Sequence, residues 1–185
     1  MMRELADNIM DIAQNSISAG ASLTEVHIRV SHADDGITFT FKDDGCGMSE
    51  ELVRAVIEPF TTTRKTRKVG LGLPLLKQTA EMTGGTMDIR STVNVGTVVT
   101  ATFGLGHIDR PPMGDVAGAW FSLVVMNPDT DFLFTYDYAG QVCTFDTREV
   151  RAAVAPIPLN QMEVSAWIKD CLTTEINELH GGNFT

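Results

Sequence analysis

Apolar residues recur along the first hundred positions with two periods, and each period marks its own element. From Glu4 to Ala19, Leu5, Ile9, Ile12 and Ser16 fall on one narrow stripe of a 3.6-residue helix, and Gly20 supplies its stop. Thr24–Val30 and Ile37–Phe41 alternate strictly, with Val26, Ile28 and Val30 in the first run and Ile37, Phe39 and Phe41 in the second. Such alternation predicts half-buried strands, joined here by a hairpin turn at Asp34-Asp-Gly36. Ser49 is placed to cap a short helix that runs to Ile57. A polar stretch, Thr61–Lys68, leads to Gly70-Leu-Gly72, and Pro74 sits in the first turn of a helix reaching Thr83. Thr86–Ser91 and Thr97–Phe103 read as two more strands. The order helix, two strands, helix, loop, helix, two strands predicts an α+β two-layer sandwich, a mixed β-sheet with helices on one face.

Beyond Gly104 the pattern changes. Gly104–Gly114 is rich in turn formers, which sets a boundary between residues 1–105 and a small α/β extension, 106–185. Asp115–Met126 reads equally as a helix or a buried strand. Phe132–Tyr138 and Gln141–Phe145 read as a hairpin around Ala139-Gly140. Gln161–Leu179 reads as a helix whose apolar stripe is Val164, Trp167, Ile168, Cys171, Leu172, Ile176 and Leu179.

Charge sharpens this division. The chain of 185 residues carries 14 basic and 24 acidic groups, a net charge of −10. Residues 106–185 hold four of the basic and 11 of the acidic groups, so the extension is the more acidic part. An acidic chain repels phosphate backbones, which argues against nucleic acid as a partner. The longest apolar stretch falls far short of the ~20 residues of a membrane span, and acids occupy the N-terminus where a signal peptide keeps an apolar run. Three cysteines without a Cys-x-x-Cys pair argue against a disulfide framework or a zinc site. The expectation is a cytoplasmic protein that does not use a membrane.

Four local features carry candidate chemistry. Asp11 and Asn15 lie one helical turn apart with Asn8 nearby, a carboxylate and a carboxamide suited to hydrated Mg²⁺ and to a base that polarises an attacking oxygen. Asp43-Asp-Gly-Cys-Gly-Met48 leaves a strand, with glycines that admit a flat ligand and a carboxylate that can accept from an amino group. Arg64, Lys65, Arg67 and Lys68 run into Gly70-Leu71-Gly72 and a helix start, a combination that attracts phosphate. Gly96-Thr97 opens the last strand.

In this order the set resembles the GHKL superfamily of ATP-binding domains, named for gyrase, the heat-shock chaperones, histidine kinases and MutL-type repair proteins. Asp11-Ile-Ala-Gln-Asn15-Ser-Ile-Ser-Ala-Gly-Ala21 resembles its N-box, and Asp43-x-Gly45-x-Gly47-Met48 the box that follows. Glu58-Pro-Phe60 resembles the histidine-kinase F-box, and Gly70-Leu71-Gly72-Leu73 followed by Lys77 the kinases' glycine box. The resemblance spans roughly residues 4–105 and implies a Bergerat-type ATP-binding fold. It implies that Asn15, with Asn8 nearby, ligands Mg²⁺ on the phosphates and that Asp43 accepts from the adenine amine. Gly45, Gly47 and Met48 would line the base, with Thr97 joining Asp43 through water. Phe60 would anchor a nine-residue lid, Thr61–Val69, from which Arg64 or Lys65 reaches the γ-phosphate. The backbone of Gly70, Leu71 and Gly72 would hold the phosphates. Asp11 falls where hydrolytic members carry a glutamate base and is one methylene shorter. The expectation is that the family's helical dimerisation segment with its phospho-accepting histidine is missing ahead of the N-box.

Three functions follow from the resemblance. The first is a histidine kinase-like subunit that transfers the γ-phosphate of Mg-ATP in trans to a separate protein, on histidine or serine. The second is an ATP-hydrolysing conformational switch of the MutL and gyrase type. The third is a non-enzymatic ATP sensor whose acidic tail holds a regulatory partner.

Overall fold

The computed structural model describes residues 4–57 and 71–180. The two alternating runs form β1 (Leu23–Ser31) and β2 (Gly36–Asp43), paired antiparallel across a four-residue turn, 32–35, with Gly36 already opposite Ser31. Their apolar residues meet on one face, Val26 opposite Phe41 and Ile28 opposite Phe39. β3 (Met87–Thr92) and β4 (Gly96–Gly104) complete the first half, with β4 antiparallel to both β2 and β3. Polar positions alternate onto the opposite face, where Lys42 pairs with Glu25 at 2.7 Å across the strands.

The C-terminal strands continue this sheet. β5 (Asp131–Tyr138) lies parallel to β1, and β6 (Gln141–Asp146) closes the far edge in the order β3-β4-β2-β1-β5-β6. One hydrophobic core therefore runs through both halves of the chain, from Phe39 and Phe103 to Phe132, Phe134 and Tyr136. The hairpin read at Ala139-Gly140 is present, and the mixed sheet of the expected α+β sandwich has six strands.

Helices cover the apolar face. They are α1 (Ala6–Ser18), α2 (Glu50–Ile57), α3 (Gly72–Met82), α4 (Val116–Met126), α5 (Thr147–Val154) and α6 (Met162–Leu179). α4 resolves the ambiguous segment in favour of a helix. It is apolar nearly all round because it lies between α1 and α6, with Trp120 fully buried and stacked on Phe134 at 4.6 Å. The turn-rich seam has a structural task at the start of α1. Its Pro112 and Met113 carbonyls accept the Leu5 and Ala6 amides at 2.9 Å each, where α1 has no side-chain cap.

Two details differ from the sequence reading. The buried stripe of α6 is Val164, Ile168, Leu172 and Ile176, one residue per turn, whereas Trp167 is 53% exposed. Trp167 precedes Ile168 by one position, about 100° round the helix, which turns it off the core face. α5 has no counterpart in the periodicity and is held by the Asp146 cap and by Thr147, whose hydroxyl bonds the backbone of Phe132. No helix among the described residues is long and apolar enough to cross a membrane.

Ser49 caps α2 as expected, its Oγ accepting the Leu52 amide at 3.3 Å. Ser49→Ala should lower stability by about 1 kcal/mol, as loss of an N-cap does. Urea denaturation reads this directly, and an unchanged midpoint would remove the cap from the account.

Candidate nucleotide site

The carboxyl-terminal ends of β2 and the beginning of β4 meet α1 and α2 around a cleft of about 420 Å³. Phe41, Val99, Ile12, Leu52, Val56 and Leu73 make its walls apolar, while Asn15, Asp43 and Thr97 supply polar groups. Such a slot, apolar with a few convergent polar atoms, suits a planar heterocycle.

Strand register explains the polar row. Asp43 of β2 lies directly opposite Thr97 of β4, so both side chains project from the helix-bearing face into the cleft. Ser16 of α1 donates to Asp43 Oδ2 at 2.9 Å, and the Gly45 amide donates to Oδ1 at 2.9 Å. The carboxylate is thus held by one bond on each oxygen and keeps lone pairs for a ligand.

The loop after β2 takes its shape from close contacts. Gly47 has φ +62°, and a Cβ there would collide with the Thr92 carbonyl. Gly96 has φ +135°, and its Cβ would strike the carbonyl of Asp43 itself. Glycine is required at both positions for the β2 loop and the β3–β4 turn to touch. Asp44 pins the loop from outside, accepting from the amides of Ser22 and Leu23 and from the Ser22 hydroxyl. Burial works to raise the Asp44 carboxyl, but the bonds from Leu23 and Ser22 together hold it below the ordinary carboxylate value.

At the other end, α3 begins beside α1. A Cβ on Gly72 would lie 3.1 Å from Asp11 Cβ, so glycine lets the first turn of α3 approach Asp11. Leu73 enters the cleft wall, and no side chain caps this helix start. Burial first, and the neighbouring Asp7 carboxylate second, raise the Asp11 carboxyl above its ordinary value.

The structure therefore brings Asn15, Asp43, Gly47, Met48 and Thr97 to one cleft, with Gly45 packed behind against Ala19. Asn8 lies buried in α1, its Nδ2 donating to the Leu5 carbonyl at 3.1 Å. Leu71 is 62% exposed, ahead of α3. Phe60, Arg64, Lys65 and Gly70, with the stretch Thr61–Val69, lie outside the described residues. Two serines of the site escaped the sequence reading of its chemistry. Ser16 is polar on an apolar stripe, a usable signal. Ser91, which accepts the Met48 amide at 2.8 Å, carries no signal beyond its place near a strand end.

For a divalent cation the donors fit in a limited way. Among the described residues no group of three His, Cys, Asp or Glu side chains could hold a metal. Asn15 offers one carboxamide oxygen in the cleft, the kind of sparse protein ligation that suits Mg²⁺ when phosphates and water supply the rest.

Residues 1–107 match the family model described as histidine kinase-, DNA gyrase B-, and HSP90-like ATPase. The sensor histidine kinase YvrG of Bacillus subtilis is 28% identical over 105 residues, which are 55% of this chain and 18% of that protein. The C4-dicarboxylate transport sensor protein DctB of Pseudomonas aeruginosa is 29% identical over 99 residues, 53% of this chain and 16% of that protein. The chain thus matches less than a fifth of the length of either relative. Among solved structures, the N-terminal domain of a DNA repair protein aligns with a TM-score of 0.51 at 13% identity. That alignment covers 77% of this chain and 52% of the other, a likeness of fold.

Proposed function

This chain belongs to the histidine kinase-, DNA gyrase B- and HSP90-like ATPase family, and on that premise we propose that it binds Mg-ATP in the α1–β2–β4 cleft and transfers the γ-phosphate to a separate protein. The observation that carries this reading is the Asp43–Thr97 pair at the end of an apolar slot that also holds Asn15. Adenine enters the slot with its amine toward Asp43. The phosphates then extend past Asn15, which would hold Mg²⁺, toward the start of α3. The cation supplies charge neutralisation of the phosphates. Arg64 or Lys65 adds positive charge at the γ-phosphate, and the remaining requirement of phosphoryl transfer is positioning. The similarity to a sensor histidine kinase supports a protein acceptor, and the proposal takes that acceptor to be a histidine or serine of a separate chain.

Hydrolysis by a conformational switch is a second reading, favoured by Asp11. Its carboxyl is raised and it lies against the first residue of α3. A carboxylate shifted upward is the stronger base for an attacking water.

Purified protein with Mg-ATP alone separates the two. Bound ATP without phosphate release or self-labelling is expected for transfer to a separate acceptor. Phosphate release that depends on Asp11 would assign the switch instead, and absence of nucleotide binding would sink both. In the hydrolytic case the pH profile carries the signature of the raised carboxyl. Asp11 must be deprotonated to act, so turnover should fall on the acid side at a higher pH than an ordinary aspartate would give. Asp7→Asn removes one of the two causes and should move that acid limb to lower pH. An acid limb that stays in place would separate Asp7 from the site.

A further inference from the structure

Ser91 lies next in the row that holds Asp43 and Thr97. It occupies β3 directly opposite Thr97 of β4, and Thr97 in turn lies opposite Asp43 of β2. Its Oγ has three polar neighbours: the Met48 amide at 2.8 Å, the Gly96 carbonyl at 3.0 Å and Thr97 Oγ1 at 2.9 Å.

A hydroxyl has one proton and two lone pairs. The Met48 amide can only donate and the Gly96 carbonyl can only accept. All three contacts are satisfied together when Ser91 accepts from Met48, donates to Gly96 and accepts from Thr97. Thr97 then commits its only proton to Ser91 and faces the cleft with lone pairs. As a carboxylate, Asp43 beside it has no proton to give and also accepts only, with Ser16 and the Gly45 amide each donating to one of its oxygens. The row therefore offers a ligand two acceptors and no donor.

We propose that Ser91 is a positioning residue that sets base selectivity, by fixing the Thr97 hydroxyl as an acceptor toward the exocyclic amine of a purine nucleotide. A base with a 6-amino group donates to this row. One with a 6-oxo group presents lone pairs to lone pairs and is rejected, as buried polar groups left unpaired disfavour a ligand. This inference rests on the nucleotide reading of the cleft. It adds a residue that touches neither base nor phosphate and acts through Thr97.

Calorimetric titration tests it, comparing ATP with ITP, whose base has a 6-oxo group in place of the 6-amino group and a proton on N1. The unaltered protein should prefer ATP. Ser91→Ala frees the Thr97 proton to turn toward the ligand, and the preference should shrink by about tenfold, mostly through tighter ITP binding. Ser91→Thr keeps the hydroxyl and should keep the preference. In a Thr97→Val background, Ser91→Ala should change the ratio no further. Where alanine at 91 prevents folding, Ser91→Cys keeps the size with a weak acceptor and should narrow the ratio in the same direction. Equal weakening of both nucleotides, with the ratio intact, would reduce Ser91 to an anchor for Met48 and overturn the proposal. An unaltered protein that binds neither nucleotide, or both alike, would overturn the Asp43 reading along with it.

Discussion

Asp11→Ala should reduce any phosphate release from Mg-ATP by about 10²–10⁴-fold, the range spanned by positioned general bases, and leave ATP affinity close to its original value. The expectation follows from where the residue lies. Asp11 touches the start of α3 and is absent from the walls of the apolar slot, so its loss removes neither the base contact nor the slot. Truncation also relieves the Asp7 carboxylate of a like charge, so loss of fold is not the expected outcome. Phosphate release and equilibrium nucleotide binding, measured on the same preparations, read the two quantities separately. Equal turnover in the variant would exclude Asp11 from the chemistry. Weakened binding with proportionate loss of turnover would place it among the ligand contacts instead.

Asp43→Asn should weaken ATP binding by roughly ten- to a hundredfold, the worth of one charge-assisted hydrogen bond of ~1.5–3 kcal/mol. Asparagine suits this test because the scaffold tolerates it. Its oxygen can keep the Gly45 amide, and Ser16 can reverse its hydroxyl to accept from the new amide nitrogen. What changes is the face toward the ligand, where a donor now stands opposite the adenine amine. Circular dichroism should be unaltered while the dissociation constant rises. An unchanged constant would sink the adenine assignment.

Much of the architecture was legible, for reasons that are local. β1 and β2 alternate because only one face of the sheet is covered, and that asymmetry is written residue by residue from Val26 to Phe41. α4 was ambiguous because it is buried between α1 and α6, which leaves no polar face to mark a period. Trp167 lies one position from the stripe, where periodicity alone does not distinguish a large apolar neighbour from a member of the buried row. The parallel pairing of β5 with β1 had no local signal at all, since nothing in either strand names its neighbour. The site divides in the same way. Asp43, Gly47 and Asn15 stand in motifs, but the bonds from Ser16 and Ser91 are set by strand register and by the approach of α1 to the sheet.

That parallel pairing also bears on how the molecule is made. Leu23 of β1 meets Asp131 of β5, a partner synthesised more than a hundred residues later. Until then β1 emerges from the ribosome as an open edge, and α1, which carries Asp11 and Asn15, lacks the α4 surface it finally rests on. Long-range parallel contacts of this kind close slowly, and unpaired edges recruit other strands. The nascent chain is therefore most vulnerable to aggregation during the interval between the two strands, and the nucleotide cleft gains its full support only as the last third of the polypeptide arrives.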